Sequence, residues 1–287
     1  MFPAAIHAMT TPTTTPTRTP LPCTPPEPGA RYRKIGMLGG VAWPSTVDIY
    51  RSICQQAQAW HDAHLASAQE GPAVMPTFAI ESVDVNQSYH RRGQQEDEAS
   101  WQAYDAYFRE ALLRLQASGA EFALIASNTP HNRLDTIVQG VDIPVMDIFE
   151  TVALHCQQLQ VRHVLVLGTG PTMAGTRFPQ ALRRHGIQAH VPPCEADRRA
   201  LMTLILSLQA GTAQGADEAM GALVARAWES LGLAGVIGTA VGLSCTELPL
   251  AFPMADPDAC HFSAQGQLWI NTTMVHAQAA FARALKA

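Results

Sequence analysis

The 287-residue chain has little of what marks several large classes of protein. Its six cysteines, at 23, 54, 156, 194, 245 and 260, form no CxxC pair and no metal-ligand spacing. That argues against a disulfide framework or a bound metal and for reduced thiols in a cytoplasmic protein. No uninterrupted apolar run reaches membrane length, and the N-terminus lacks the basic start and apolar stretch of a secretory signal. A formal charge of −5 supplies no basic excess for nucleic acid or an anionic membrane surface. Neither GxGxxG nor GxxxxGK[ST] occurs, so the glycine-rich turns carry no dinucleotide or P-loop signature.

What is present is enough apolar content, 47%, to bury one large core or two modest ones. Residues 1–31 stand apart: they are dense in Thr and Pro, and Thr10 to Pro28 almost lacks large apolar side chains. Such a segment cannot offset its ordering entropy, so a disordered tail is expected, with folded structure beginning near Tyr32.

The chain carries two versions of one strand-to-helix turn. The first reads Leu124-Ile125-Ala126-Ser127-Asn128-Thr129-Pro130-His131, the second Gly242-Leu243-Ser244-Cys245-Thr246-Glu247-Leu248-Pro249. In each, an apolar run ends in a nucleophile-bearing residue, followed by Thr and then Pro. Thr as N-cap and Pro in the first turn are helix-start chemistry, which places Ser127 and Cys245 where a strand hands over to a helix. Two apolar strands running into glycine, at Lys34 to Gly40 and Val164 to Gly170, open the two halves. The repeat predicts two α/β units of similar size.

A coarse reading places strands near 34–39, 73–80, 121–126, 143–146, 163–167, 187–191 and 235–241. Helices are expected near 45–60, 95–118, 130–138, 148–159, 172–185, 196–210 and 215–231, with another from about 246 and a last one over 272–285. Alternating strands and helices predict parallel sheets with helices on both faces. The expected division is a first α/β domain of 32–146 plus 272–287, to which the last helix returns, and a second of 147–271. The active site is expected in the cleft between two pseudo-symmetric Rossmann-like units.

Five landmarks in order resemble the aspartate/glutamate racemase superfamily: Gly39 to Thr46, Ser127 to His131, Leu167 to Thr169 with Thr172-Met173, Glu195 to Arg199, and Ser244 to Glu247. The likeness runs from about Arg33 to the C-terminus. It implies a pyridoxal-independent amino-acid racemase with no cofactor, acting on a small amino-acid or carboxylate substrate; a homodimer is compatible with it. The usual pattern has a Cys in each turn, one on each face of the substrate α-carbon. Here Ser127 replaces the first. Cys245 is then expected to abstract the α-proton as a thiolate favoured by its helix N-terminus, and Ser127 or an ordered water to reprotonate the opposite face. A branch favouring L-aspartate and L-glutamate also has a hydroxyl residue in the first turn, with W-x-S-T and R-R-G stretches like Trp43 to Thr46 and Arg91 to Gly93.

The same resemblance assigns substrate contacts to Asn128, Thr129, Thr246, Gly39, Trp43 and Thr172, and a distal carboxylate to Arg199. Two opposed helix N-termini would suit an anion. No counterpart of a first-half arginine is found in Val83 to Ser88, and Gly170 and Asn271 stand where that branch tends to have Arg and Asp, which leaves room for a less charged substrate. Glu247 either orients the thiol or caps its helix, with capping the blander job. His131 and His276 read first as structural, with His276 kept as possible support for the site. Two other classes stay open: a decarboxylase of the arylmalonate type that uses Cys245 to protonate a carbanion, and a non-catalytic carboxylate-binding homologue.

Overall fold

The computed structural model describes residues 32–64, 73–94 and 97–285; the expected tail lies outside them. Two sheets organise the chain. In the first, β1 (Ile35–Gly39) lies between β2 (Phe78–Ser82) and β3 (Phe122–Ile125), all parallel. In the second, β4 (His163–Gly168) lies between β5 (Gln188–His190) and β6 (Thr239–Ser244), again parallel. Beyond β6 come β8 (Gln267–Asn271), parallel to it, and β7 (His261–Ala264), antiparallel to β8.

The strand order is the same in both units: second, first, third. Ser127 follows the third strand of one and Cys245 the third strand of the other. The correspondence extends outward. A single parallel bridge between Ala123 and Val145 stands beside β3 where β8 stands beside β6, so the strand expected near 143–146 is reduced to one pairing.

Period-2 alternation explains why these strands read as unbroken apolar runs: both faces are covered. In the first sheet Ile35, Met37, Phe122 and Leu124 point at α1 (Trp43–His64) and α10 (Thr272–Leu285). Leu38, Ala123 and Ile125 point at Tyr104, Phe108 and Leu112 of α3 (Gln102–Ala117). In the second, Val164, Val166, Ala240 and Ile270 face α5 (Ile148–Gln158) and α7 (Arg177–Arg184). Leu165, Leu167, Val241 and Leu243 face α8 (Glu195–Gln209) and α9 (Ala216–Ser230). Helix α10 leaves the second sheet from β8 and inserts Ala277, Ala280 and Phe281 beside Ile49, Ile53 and Trp60 of α1.

Several expected elements differ in kind. The helix near 130–138 is a 3₁₀ turn, Thr129–Arg133, followed by the short α4 (Leu134–Ile137), and the one from 246 is a 3₁₀ turn, Leu248–Ala251, followed by the β7–β8 hairpin. The stretch 172–185 divides into α6 (Gly170–Ala174) and α7 at Gly175, where a Cβ would run into the Asn132 side chain. The expected strand 73–80 is β2, shifted to Phe78–Ser82, and α2 (Val85–His90) follows it.

Candidate functional site

The carboxyl ends of β1, β3, β4 and β6 deliver the turns that build the site, the usual place for chemistry in open α/β sheets. After β3, Ala126 donates its N–H to Leu38 O at 2.8 Å and accepts from Ser45 Oγ at 2.8 Å. Ser127 is thereby held on a backbone pinned from both sides, and its side chain is buried. The residues at the two cap positions are Asn128 and Glu247, and neither makes a side-chain capping bond. Thr is therefore not the cap in either turn, and each following helix is a single 3₁₀ turn. The expected pair of anion-binding helix N-termini is absent from both turns.

Released from capping, the side chains bind across the two units. Thr272 Oγ1 gives its one proton to Leu243 O at 2.8 Å, so at the Asn128 side chain, 3.3 Å away, it accepts from Nδ2. This ties the Ser127 turn to β6 two residues before Cys245. Thr129 Oγ1 lies 3.3 Å from Thr169 Oγ1 and 3.4 Å from Thr172 Oγ1, and those two are 3.2 Å apart. The result is a triangle of three hydroxyls between the first turn and the β4–α6 turn. Gly168 pairs in register with Ser244, and a Cβ at Gly168 would stand 2.9 Å from Ser244 O. The β4–α6 turn that carries Thr169 and Thr172 thus leaves its sheet beside the turn that carries Cys245.

Cys245 is buried, and its Sγ donates to Glu247 Oε2 at 2.9 Å. The same oxygen accepts from Thr246 Oγ1 at 3.0 Å, while Oε1 accepts from Gln209 Nε2 at 2.9 Å. Burial pushes the thiol well above its ordinary value. The Glu247 charge and hydrogen bond push it further, and the backbone N–H groups of Glu247 and Thr246 pull only partly back. The turn does not hold a preformed thiolate, contrary to the sequence expectation. It holds a protonated thiol with a carboxylate in contact, so Glu247 orients the thiol and does not cap. Gln209 and Thr272 carried no sequence signal, because nothing local marks a partner 38 or 144 residues away.

The remaining candidates scatter. Gly39 serves the tight turn, since a Cβ there would strike the Thr46 side chain, and Gly40, at φ +89°, donates its N–H to Thr46 Oγ1 at 3.0 Å. Trp43 opens α1 and is 72% exposed. Arg199 is exposed and 3.6 Å from Glu195. It lines a cavity of about 610 Å³ with Gly170, Met173, Ala174, Glu195 and Met202; neither Ser127 nor Cys245 lines it. His276 is fully buried with Nδ1 3.3 Å from Thr151 Oγ1. Thr151 gives its proton to Ile148 O at 2.9 Å, so His276 Nδ1–H is the donor. Burial, with His131 beside it, lowers the His276 pKa to about 3. His276 therefore faces Thr151 and His131, and no bond joins it to Cys245.

No Lys or Arg side chain hydrogen-bonds to Ser127, Asn128, Thr129, Thr172, Cys245 or Thr246 among the described residues. None of the described residues forms a cluster of three metal-ligating side chains, and no described helix is long and apolar enough to cross a membrane.

A family model described as Asp/Glu/Hydantoin racemase matches residues 38–280. A candidate Asp/Glu racemase from Yersinia pestis is similar at 26% identity and a TM-score of 0.68, over 88% of this chain and 100% of that one. An aspartate racemase homologue from Pyrococcus horikoshii reaches 24% and 0.64, over 86% and 97%. Glutamate racemase from Francisella tularensis, solved with D-glutamate, reaches 14% and 0.54, over 86% and 79%. The last two, below 25% identity, share the fold.

Proposed function

Since the chain belongs to the Asp/Glu/Hydantoin racemase family, we propose that it racemises an amino acid without pyridoxal or metal, with Cys245 as the base on one face of the α-carbon and Ser127 on the other. The observation that carries this reading is the 2.9 Å contact between Cys245 Sγ and Glu247 Oε2. A buried thiol is a poor base, but a carboxylate in contact can take its proton as substrate arrives. Glu247 gains that proton, the thiolate takes the α-proton, and the C–H electron pair moves into the substrate carboxylate as an enolate-like dianion. A proton from Ser127, or from a water it orders, closes the opposite face; Ser127 then recovers its proton from solvent and Glu247 returns its own to solvent, which restores the starting state.

The developing charge needs donors that need not reorganise far. The Thr129, Thr169 and Thr172 hydroxyls, with Asn128 and Thr246, are the groups at hand for the α-carboxylate. Because those donors are neutral, Arg199 is the cation assigned to a second carboxylate, and the L enantiomer is the favoured one by resemblance to the branch with a hydroxyl residue in the first turn. The division into 32–146 plus 272–287 and 147–271 is part of the reading, supported by the packing of α10 on α1.

The test is incubation of wild type and Cys245→Ala with single amino acids in deuterated water, read by loss of the α-hydrogen and by chiral chromatography. Racemisation in wild type and none in a folded Cys245→Ala protein is expected. Retained turnover in the variant would overturn the assignment. Because only one turn carries a thiol, a disubstituted malonate belongs in the same panel. Carbon dioxide release from it, with no exchange from any amino acid, would favour a decarboxylase instead.

A further inference from the structure

We infer that a cavity bounded by the β7–β8 hairpin, the start of α9 and the end of α5 binds a small organic cation, an ammonium group on an apolar body. The cavity holds about 750 Å³, within the range of sites that enclose a small molecule. Neither Ser127 nor Cys245 lines it. The way the hairpin is held accounts for the space. At its tip the Gln265 side chain sits where Gly221 of α9 has no Cβ, and a Cβ there would strike it. At its start His261 Nδ1 lies 3.1 Å from His155 Nε2 of α5. Gln265 and His261 both belong to the cavity wall, and residues 252–256 supply another part of it.

The wall has the chemistry that holds a cation. Phe252 and Phe262, with ring centroids 5.0 Å apart and planes inclined at 61°, join Leu159 and Leu268 in it, and aromatic faces attract positive charge. The charged lining is of one sign: Asp217 and Asp256 are there, and neither Lys nor Arg is. Asp217 is half-buried in the first turn of α9, where the helix end favours its charge. Among the described residues no ion pair or side-chain hydrogen bond engages it. The Asp256 side chain accepts one N–H among them, that of Asp258 at 3.0 Å.

The negative charge is felt by neighbouring groups. Burial, and then Asp256 and Asp258, push the Cys260 thiol up to about 12. His261 does not offset that charge, because burial lowers its pKa and leaves the ring neutral at neutral pH. A metal ion would need a cluster of ligands, and the described residues form none. An acid would meet two carboxylates. An ammonium on an aromatic or aliphatic body satisfies the charge and the apolar wall together. Met254 lines the cavity and is 97% exposed, so it offers an adaptable apolar surface for a guest to cover.

Isothermal titration calorimetry of the full-length protein decides it, with 2-phenylethylamine as probe, 3-phenylpropionate as its anionic counterpart and 2-phenylethanol as its neutral one. The amine is expected to bind saturably with a dissociation constant below about 1 mM, ordinary for so small a ligand, and the acid and the alcohol about tenfold more weakly or worse. Asp217→Asn and, independently, Asp256→Asn are each expected to weaken the amine about fivefold, the worth of one partly exposed charge pair. Both carboxylates reach solvent, and two variants guard against one failing to fold. Cys245→Ala is expected to bind the amine as wild type does, which separates this site from the proposed racemase chemistry. No saturable binding of the amine, equal binding of the acid or the alcohol, an affinity that survives both Asp substitutions, or loss of binding in Cys245→Ala would overturn the inference.

Discussion

At the scale of single residues, Cys245, Glu247, Ser127 and Arg199 do unequal work. Cys245 is the only thiol in either copied turn, and Glu247 is the group in contact with it. Replacing Glu247 by Gln keeps the shape and the Gln209 contact but removes the proton acceptor. Turnover should fall by about a hundredfold or more, the usual worth of a positioned base. The same change removes a negative charge that raises the thiol pKa, so the thiol should titrate at lower pH and alkylate faster. Mass-spectrometric rates of Cys245 alkylation beside turnover check both halves, and unchanged turnover would contradict the role. Arg199 tests substrate charge: Arg199→Ala should raise KM for an acidic amino acid about tenfold with kcat unchanged. No change in KM would leave it a surface guanidinium paired with Glu195. Ser127 and Cys245 were legible because two similar octapeptides put them at matching places. The orientation of Glu247 was not, because a residue two past the Cys can equally cap or reach back, and only packing decides.

At the scale of elements, the strands read true wherever both faces are buried, as at 35–39, 122–125 and 163–168, because continuous apolar runs with glycine behind them leave few alternatives. The sequence misled after Cys245. Gln265 and Gly266 both take positive φ, 52° and 71°, and make a two-residue hairpin turn. Gln-Gly lacks the Asn or Asp that usually announces such a turn, and His261 to Ala264 is too short to show alternation. That hairpin is fastened to α5 by His155 Nε2 and His261 Nδ1, 3.1 Å apart. Burial, and then the His261 charge, lower His155 to about 4. The unfolded chain binds a proton below about pH 6.5 and the folded chain resists until about 4, so stability is present above 6.5 and lost as pH falls toward 4. About 2 kcal/mol should disappear from this site between pH 7 and pH 5. Denaturant melts of wild type and His155→Gln at the two pH values measure it, and an equal loss in both proteins would contradict it.

At the scale of the molecule, two units of one strand order meet so that the ends of their third strands share bonds. Asn128 to Thr272 to Leu243 O is one such tie and the Thr129, Thr169 and Thr172 triangle another. Arg177 of α7 adds a third, holding Asp135 at 2.9 Å and Asp147 at 3.2 Å. Duplication was legible in the sequence; these cross-unit bonds were not, since each joins residues that only the fold brings together. The proposed site is two-faced and lopsided, with a thiol on one side of the α-carbon and a hydroxyl on the other. Deuterium incorporation measured separately from the L and the D enantiomer, in wild type and in Ser127→Cys, tests it most directly. A catalyst cannot move the equilibrium, so exchange and initial rates are the quantities to compare. Faster exchange from L than from D is predicted for wild type, with Ser127→Cys raising the D rate more than the L rate. Equal wild-type rates, or no gain on the D side, would contradict it.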